Sequence, residues 1–281
     1  LFPTQTLFEK NGTFVNQQFR VQKFLKAVPG AAGTTDDLTV LAKLIAAAGG
    51  ATLPTEINAL WRVLAADVST IEDALAAADA GATEIAFDAF LRHPVPSRAR
   101  VRALGETLGE RGVRLRLRTP TIVRPEERRT LDKWLDLGLP ILTGHVGLVS
   151  AVGAKGSDVV AEYAVNCFNQ HTADEIFALG ASRITLSIEL TTDEIAAVVA
   201  PRGGRGFDAL IYGRPEGMTI EHCVLSAAFD REPTTCRDLC VRDHPLVQIT
   251  DPAGYTFAVA TDSACRNRLL HSRPIEGSEF L

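Results

Sequence analysis

The chain has 281 residues, of which 46% are apolar and 22% charged, and a formal net charge of −5. This length suits one barrel-sized domain or two smaller domains, and the composition is ordinary for a globular protein. No apolar run approaches the roughly 18 residues that a membrane-spanning helix needs, and no secretory signal pattern opens the chain. We therefore expect a cytoplasmic protein, and the acidic total argues against a surface that binds nucleic acid throughout.

Residues 1–57 differ in pattern from the rest of the chain. The Asn11-Gly12 pair predicts a turn between two short extended runs, and a helical pattern follows over residues 36–48. The sequence begins at Leu1 rather than at a methionine, so we expect a piece of a longer protein. We interpret residues 1–57 as a separate N-terminal extension.

Strand-like and helical patterns alternate from residue 61 to residue 222. Strands are predicted at residues 61–66, 83–87, 113–118, 140–143, 159–164, 184–188, 208–212 and 219–222. Helices are predicted at residues 69–80, 97–110, 124–137, 172–179 and 192–199. Such alternation implies parallel strands joined by right-handed crossovers, and residues 58–222 therefore predict a compact TIM-like β/α barrel. A doubly wound sheet is the alternative, although no G-x-G-x-x-G follows the first strand.

Polar residues at the carboxyl ends of the predicted strands are candidates for the chemistry, because barrel active sites lie there. They are Asp67, Asp88, Arg118, His145, Asn166, Asn169, Glu189, Tyr212, Arg214 and His222. Glu189 and His222 are the candidates for proton transfer, and Arg214 is the candidate for binding a carboxylate with both arms of its guanidinium. A structural salt bridge of Glu189 and a solvated Arg214 are the alternatives.

Four cysteines in the last part of the chain are Cys223, Cys236, Cys240 and Cys265. A thiolate quartet suits a tetrahedral zinc ion or an iron–sulfur cluster, and a reducing compartment disfavours the alternative of two disulfides. The spacing matches neither a zinc ribbon nor a ferredoxin, so the residues alone predict a soft-metal site without naming the metal. Cys167 stands apart in an apolar stretch, where a small buried side chain is the simpler interpretation.

The chain after Cys223 predicts a β-hairpin. Residues 246–250 and 255–260 are strand-like, and the turn sequence Asp-Pro-Ala-Gly lies between them. This hairpin would bring Cys265 back to the other three cysteines. We therefore divide the chain into the extension 1–57, the barrel 58–222 and a cysteine-bearing, cluster-binding segment 223–281.

Residues 58–281 resemble the collagenase-like peptidases of family U32. The motifs are AAADAGATEIAFD at 76–88, YAVNCFN at 163–169, RITLSIEL at 183–190, the Tyr212-Gly-Arg214 triplet and the four cysteines. The resemblance implies a [4Fe–4S] cluster on those cysteines, with zinc as the alternative metal. It also implies oxygen-independent hydroxylation of an RNA base or a quinone precursor, with a small anionic donor such as prephenate, and a site-lining role for Arg214.

The segment EKNGTFVN at 9–16, with RVQ at 20–22, is similar to the molybdopterin oxidoreductase family, especially the large iron–sulfur subunit of NADH–quinone oxidoreductase. Only a late part of that family's domain is present. Two other functions stay open. One is a peptidase, as the U32 name implies, although no nucleophile elbow or H-E-x-x-H pair is present. The other is a non-catalytic, redox-associated module that binds a partner protein.

Overall fold

The computed structural model describes residues 12–15, 21–24, 65–91, 95–232, 235–236, 239–244 and 247–277. The helix predicted over 36–48 and most of the strand predicted over 61–66 lie outside these ranges. In the N-terminal part, β1 (Gly12–Val15) and β2 (Val21–Phe24) pair antiparallel, with Gly12 opposite Phe24. Gly12 therefore begins a strand, while Asn11, the other residue of the predicted turn, lies outside the described ranges.

Seven parallel strands form one curled sheet in chain order. They are β3 (Ala65–Val68), β4 (Glu84–Phe87), β5 (Arg114–Arg118), β6 (Ile141–Thr143), β7 (Val159–Ala161), β8 (Arg183–Thr185) and β9 (Phe207–Asp208). Glu84 of β4 and Arg183 of β8 are four strands apart, yet their side chains meet at 2.6 Å. Neighbouring strands are about 4.8 Å apart, so this contact requires strong curvature. The sheet is an open α/β barrel, because no pairing of β9 with β3 occurs in the described residues.

Helices pack on the outside of this sheet. They are α1 (Ile71–Asp79), α2 (Arg98–Glu110), α3 (Pro125–Leu135), α4 (Val146–Gly153), α5 (Gln170–Ala178) and α6 (Thr192–Val199). Their first turns are capped by side chains, as at α6, where Thr191 and Glu194 form a capping box. The helix α4 was not predicted, because its glycine-rich apolar sequence lacks amphipathic periodicity. None of the described helices has the length and apolar character of a membrane span.

The two faces of the sheet differ in chemistry. On the outer face, Ile85, Leu117 and Ile184 pack with helix residues in one apolar cluster. On the inner face, the apolar residues form a smaller, separate group of Ala86, Leu142 and Val160. Strand β5 reads Arg-Leu-Arg-Leu-Arg, so alternation places its leucines outward and its arginines inward. The barrel interior is therefore lined largely by charged side chains.

A second, antiparallel sheet follows the barrel. The elements of this region are β10 (Tyr212–Gly213), β11 (Glu216–Ile220), α7 (Val224–Ala228), α8 (Leu239–Arg242), β12 (Val247–Thr250), β13 (Thr256–Thr261), β14 (Asn267–Leu270) and β15 (Ile275–Glu276). The sheet order is β11-β14-β13-β12. The eighth barrel strand predicted at 219–222 is thus wrong, since β11 pairs antiparallel with β14. The few residues between β9 and β11 are too short for the crossover that parallel pairing requires.

The antiparallel sheet lies over the carboxyl ends of the barrel strands. The contacts are Ser263 N to Phe90 O (2.8 Å), Arg266 Nη1 to Ile122 O (3.0 Å) and Glu216 N to Tyr163 Oη (3.2 Å). The acceptors belong to the loops that follow β4, β5 and β7. Those loops form the mouth of the barrel, so the added sheet covers the end where active sites of such folds lie.

Candidate functional site

Near the amino ends of most of its strands, the barrel contains a set of ion pairs that we call the lower network: Glu84, Arg114, Arg116, Asp158, Arg183 and Asp208. Arg116 is fully buried and donates to both oxygens of Glu84, at 3.1 and 3.0 Å, and to Asp158 Oδ2 at 2.9 Å. Arg183 joins Glu84 to Asp208, at 2.6 and 2.9 Å. Three guanidinium groups thus face three carboxylates.

The acid groups at the centre of the lower network stay ionised. Burial works to raise the pKa of Glu84, but hydrogen bonds from Arg116 and Arg183 outweigh it and lower that pKa. Burial is likewise outweighed at Asp158, where hydrogen bonds from Arg116 and Ser182 lower the pKa. Because its acids and bases are equal in number and pair with one another, we interpret the lower network as a structural element of the barrel interior.

Near the mouth lies a second set of charges, the upper network: Asp67, Asp88, Arg118, Glu162, Glu216 and Arg268. Arg118 donates through Nε to Glu162 Oε1 (2.9 Å), through Nη1 to Asp88 Oδ2 (3.2 Å) and through Nη2 to Glu216 Oε1 (3.2 Å), and Nη2 also reaches Glu162 Oε1. Arg268 Nη1 donates to Asp88 Oδ2 (2.5 Å) and to Glu216 Oε1 (3.1 Å). The network therefore joins three barrel strands to the antiparallel sheet.

The upper network is neither balanced nor complete. Two guanidinium groups face four carboxylates, and their charges outweigh the burial of Arg118, so its pKa lies well above the usual value. Glu162 is only 2% exposed, and its Oε2 atom has no hydrogen-bond partner in the described part of the chain. A buried acceptor without a donor costs about 1–3 kcal/mol, so this atom needs an explanation.

Asp67 lies on the inner face of β3, since its neighbours Ala66 and Val68 pack against the outer cluster. Asp67 is exposed as a residue, yet burial of its carboxyl raises the pKa of Asp67 to about 6 against the opposing charge of Arg118, and the charge of Glu162 adds to the rise. No hydrogen bond to its carboxyl comes from the described residues, so Asp67 is the open acid of the site.

The three predicted catalytic residues lie outside the upper network. Glu189 is exposed in the turn after β8, which ends three residues earlier than predicted, at Thr185. Arg214 is exposed and its Nη1 donates to the carbonyl oxygens of His271 (2.8 Å) and Ser272. His222 is exposed directly before the first of the four cysteines. Their catalytic roles stay predictions.

Three members of the upper network, Glu162, Glu216 and Arg268, were not singled out from the sequence. Glu162 follows β7 directly, but the predicted strand ran to residue 164 and concealed this position. An acid directly after the Val-Val-Ala run was the available signal. Glu216 and Arg268 belong to the antiparallel sheet, whose placement over the mouth no local pattern indicates. By contrast, Asp67, Asp88 and Arg118 of the predicted mouth residues do come together.

Three of the four cysteines of the last segment act electrostatically on the fourth. Burial raises the pKa of Cys240, and the charges of Cys223, Cys265 and Cys236 raise it further. None of these four described cysteines forms a disulfide bond. Strands β12 and β13 form the hairpin whose turn was predicted at 251–254, but neither strand carries a cysteine. Cys265 lies after β13, in a turn where its φ is 61°.

The turn that carries Cys265 is held by one buried carboxylate. Asp262 Oδ1 accepts from Ala264 N and from Arg266 N, both at 2.8 Å, and Asp262 Oδ2 accepts from Arg266 Nε at 2.8 Å. Arg266 also bonds Glu127 Oε2 at 3.0 Å. The last thiol is thereby fixed relative to the loop that follows β5.

Four thiols are a suitable donor set for zinc or for an iron–sulfur cluster. Bringing four thiolates together is unfavourable without a compensating cation; burial is the main cause of the raised pKa of Cys240, and repulsion from the other three thiolates adds to it. Among the residues described, no group of three or more His, Cys, Asp or Glu side chains has the arrangement of a formed metal site. The thiols fit the group in chemistry and in proximity, but not in finished coordination geometry.

Comparisons with known proteins give the following results. No protein-family model matches the chain, and no curated protein matches it. The fold is similar to the solved structure of the U32 peptidase Mk0906, with 15% identity and a TM-score of 0.41 over 52% of this chain. That match spans 66% of the peptidase, just under two thirds. An HpcH/HpaI aldolase from Desulfitobacterium hafniense matches with 13% identity and a TM-score of 0.33, over 58% of this chain and 70% of the aldolase.

Proposed function

We propose that this chain is an iron–sulfur protein that binds its cluster through Cys223, Cys236, Cys240 and Cys265 beside the mouth of an open α/β barrel. The observation that carries the proposal is that Cys223, Cys236 and Cys265 lie near enough to Cys240 for their charges to add to the rise in its pKa that burial causes. Zinc is the alternative metal for the same donors.

The connection between the thiols and the barrel supports a shared role. Asp262 and Arg266 hold the Cys265 turn, and Arg266 bonds the carbonyl of Ile122 and the carboxylate of Glu127 at the mouth. A cluster supplies one-electron chemistry when it is bound. The barrel residues would then orient the substrate, and Asp67 would exchange a proton with it near neutral pH.

Oxygen-independent hydroxylation of an RNA base or a quinone precursor is the finer form of this proposal. The predicted anionic donor, prephenate, would need a free guanidinium. Arg118 and Arg268 already pair with carboxylates, and Arg214 donates to two backbone carbonyls. Donor binding through Arg214 would therefore require that this side chain releases both carbonyls.

Anaerobic iron and sulfide analysis tests the proposal. We expect about four iron and four sulfide ions per chain, with broad visible absorbance, in the wild-type protein. Serine substitution at any of the four cysteines should abolish the absorbance. Cys167→Ser is the matched control, since Cys167 is buried elsewhere and should leave the iron content unchanged.

Two results would replace the proposal. Zinc without iron would make the site a structural zinc centre, and unchanged iron in all four variants would remove these cysteines as ligands. Gelatin hydrolysis by protein without metal would favour the peptidase alternative.

A further inference from the structure

We infer that the upper network binds the cationic group of a ligand, an ammonium or amidinium group carried on an apolar body. This inference names the ligand class for the barrel mouth. It rests on the proposed function only in treating the bound molecule as a substrate.

The two networks differ in their balance of positive and negative charges. The lower network contains three guanidinium groups and three carboxylates, whereas the upper network contains two and four. The lower set lines the inner face of the curled sheet, whereas the upper set also takes Glu216 and Arg268 from the antiparallel sheet. Buried charges are stable when each has a partner, so among the described residues the upper network has fewer positive than negative charges, while the lower one is balanced.

The Oε2 atom of Glu162 also indicates a missing hydrogen-bond donor. Arg118 bonds the other oxygen of this carboxylate twice, through Nε and Nη2, and leaves Oε2 buried without a donor in the described residues. Among the buried side-chain oxygen and nitrogen atoms of the described residues, only this one and Ser226 Oγ lack a partner. A missing donor is therefore confined, within the barrel, to the network that also lacks positive charge.

Asp67 is an exposed acid on the inner face of β3, and the charge of Glu162 acts on it. A cationic group bound beside Glu162 would therefore also lie near Asp67. A small adjustment of Glu162 would then let the group donate to Oε2 as well.

Apolar residues near the mouth suit the body of such a ligand. Val146 begins α4 directly after the β6 loop and is 45% exposed, and Phe168 follows the β7 loop and is 41% exposed. Met218 is 56% exposed on β11, two residues from Glu216 of the upper network. Large exposed apolar side chains around a polar pocket are typical of ligand sites.

Other ligand classes fit this mouth less well. An anion would find both Arg118 and Arg268 already engaged by carboxylates. An organic cation needs hydrogen-bond acceptors, which the upper network supplies, and apolar side chains, which are exposed in the loops and strand near the same mouth.

A matched ligand series tests the inference. We would titrate the purified full chain with n-butylammonium, 1-butanol and butyrate, and follow binding by NMR chemical shifts. These probes share the apolar body and differ in charge. We expect saturable binding of butylammonium and about tenfold weaker or no binding of the other two, because charge-assisted hydrogen bonds contribute about 1.5–3 kcal/mol.

Variants locate the binding. Asp67→Asn and Glu162→Gln should each weaken butylammonium binding about tenfold, for the same reason. Glu106→Gln removes an exposed carboxylate on α2 and should leave binding unchanged. Circular dichroism would check folding, and Asp67→Asn alone suffices if Glu162→Gln does not fold.

The outcomes separate this inference from the proposed function. Equal binding by the wild type and by Asp67→Asn would overturn it, as would tighter binding of butyrate than of butylammonium. Butylammonium binding that persists in the Cys240→Ser protein would support the cation site even where iron analysis fails. If the wild-type protein contains its full iron but does not bind butylammonium, this inference is overturned and the cluster proposal is unaffected.

Discussion

Arg116 and Arg118 stand two residues apart on β5, face the same interior and belong to different charge networks. Arg116 bonds Glu84 and Asp158 among charges that balance, and it is fully buried. Arg118 bonds Glu162 and other acids that outnumber the arginines around them. Strand β5 thus contributes Arg116 to the structural lower network and Arg118 to the candidate site.

Arg116→Met should be strongly destabilising. The substitution leaves the buried carboxylate of Glu84 without its main donor, and breaking such a pair costs about 3–5 kcal/mol. Urea unfolding would measure the change. Arg100→Met is the control, because Arg100 is exposed on α2 and makes no ion pair with a described residue, so it should change stability by about 0.5 kcal/mol at most. A loss under about 1 kcal/mol at Arg116 would show that the lower network contributes little.

Asp67 should make stability depend on pH. Its pKa is raised from 3.8 to about 6 on folding, so between these values the folded protein binds the proton more strongly than the unfolded chain. The wild type should therefore lose stability relative to Asp67→Asn as the pH rises through this window. Urea unfolding of both proteins from pH 4 to about pH 7 would measure the difference. A constant difference across the series would contradict the raised pKa.

Gly153→Ala and Gly109→Ala should have opposite effects. A Cβ atom at Gly153 would lie 2.9 Å from Gly180 Cα, so the methyl group has no room and should cost about 1–3 kcal/mol. Gly109 is exposed in α2 with nothing within 4 Å of a Cβ atom, and alanine there should stabilise by about 0.5–1 kcal/mol. Thermal unfolding of both variants measures the two changes. Equal effects would refute the close approach of α4 to the loop after α5.

Asp262→Ala should weaken metal retention without removing a thiol. The substitution frees the Cys265 turn and leaves the Arg266 guanidinium buried with one carboxylate fewer, at about 3 kcal/mol. Iron content per chain and urea unfolding would measure both effects. Asp251→Ala is the control, since Asp251 holds the β12–β13 turn through Tyr255 N, away from the cysteines. Unchanged iron in Asp262→Ala would show that this turn does not position Cys265 for binding.

The helical layer of the barrel was largely predictable from sequence. The helix predicted at 192–199 is confirmed to the residue. Helix α2 was predicted to begin at Ser97; it begins at Arg98, and Ser97 is its N-cap. Amphipathic periodicity and caps are local signals, and they survive in the folded chain. Short strands of two or three residues, such as β9, carry too little pattern to fix their ends.

The candidate site was only half predictable. Asp67, Asp88 and Arg118 lie near or directly after the ends of predicted strands, so the barrel rule found them. Glu216 and Arg268 reach the same place from a sheet that folds back over the mouth, and such long-range placement leaves no local trace. The charge imbalance became visible only when both sets of residues were placed together.

The two ends of the barrel differ in how many residues must be substituted together to keep the fold stable. In the lower network, a single apolar replacement leaves a neighbouring charge unpaired, whereas joint replacement of all six members by packed apolar residues removes acids and bases together. Change there must come in concerted sets. Near the mouth, Asp67 can be substituted alone, because no described residue donates a hydrogen bond to its carboxyl. Ligand preference can therefore change by single mutations while the lower network stays the same.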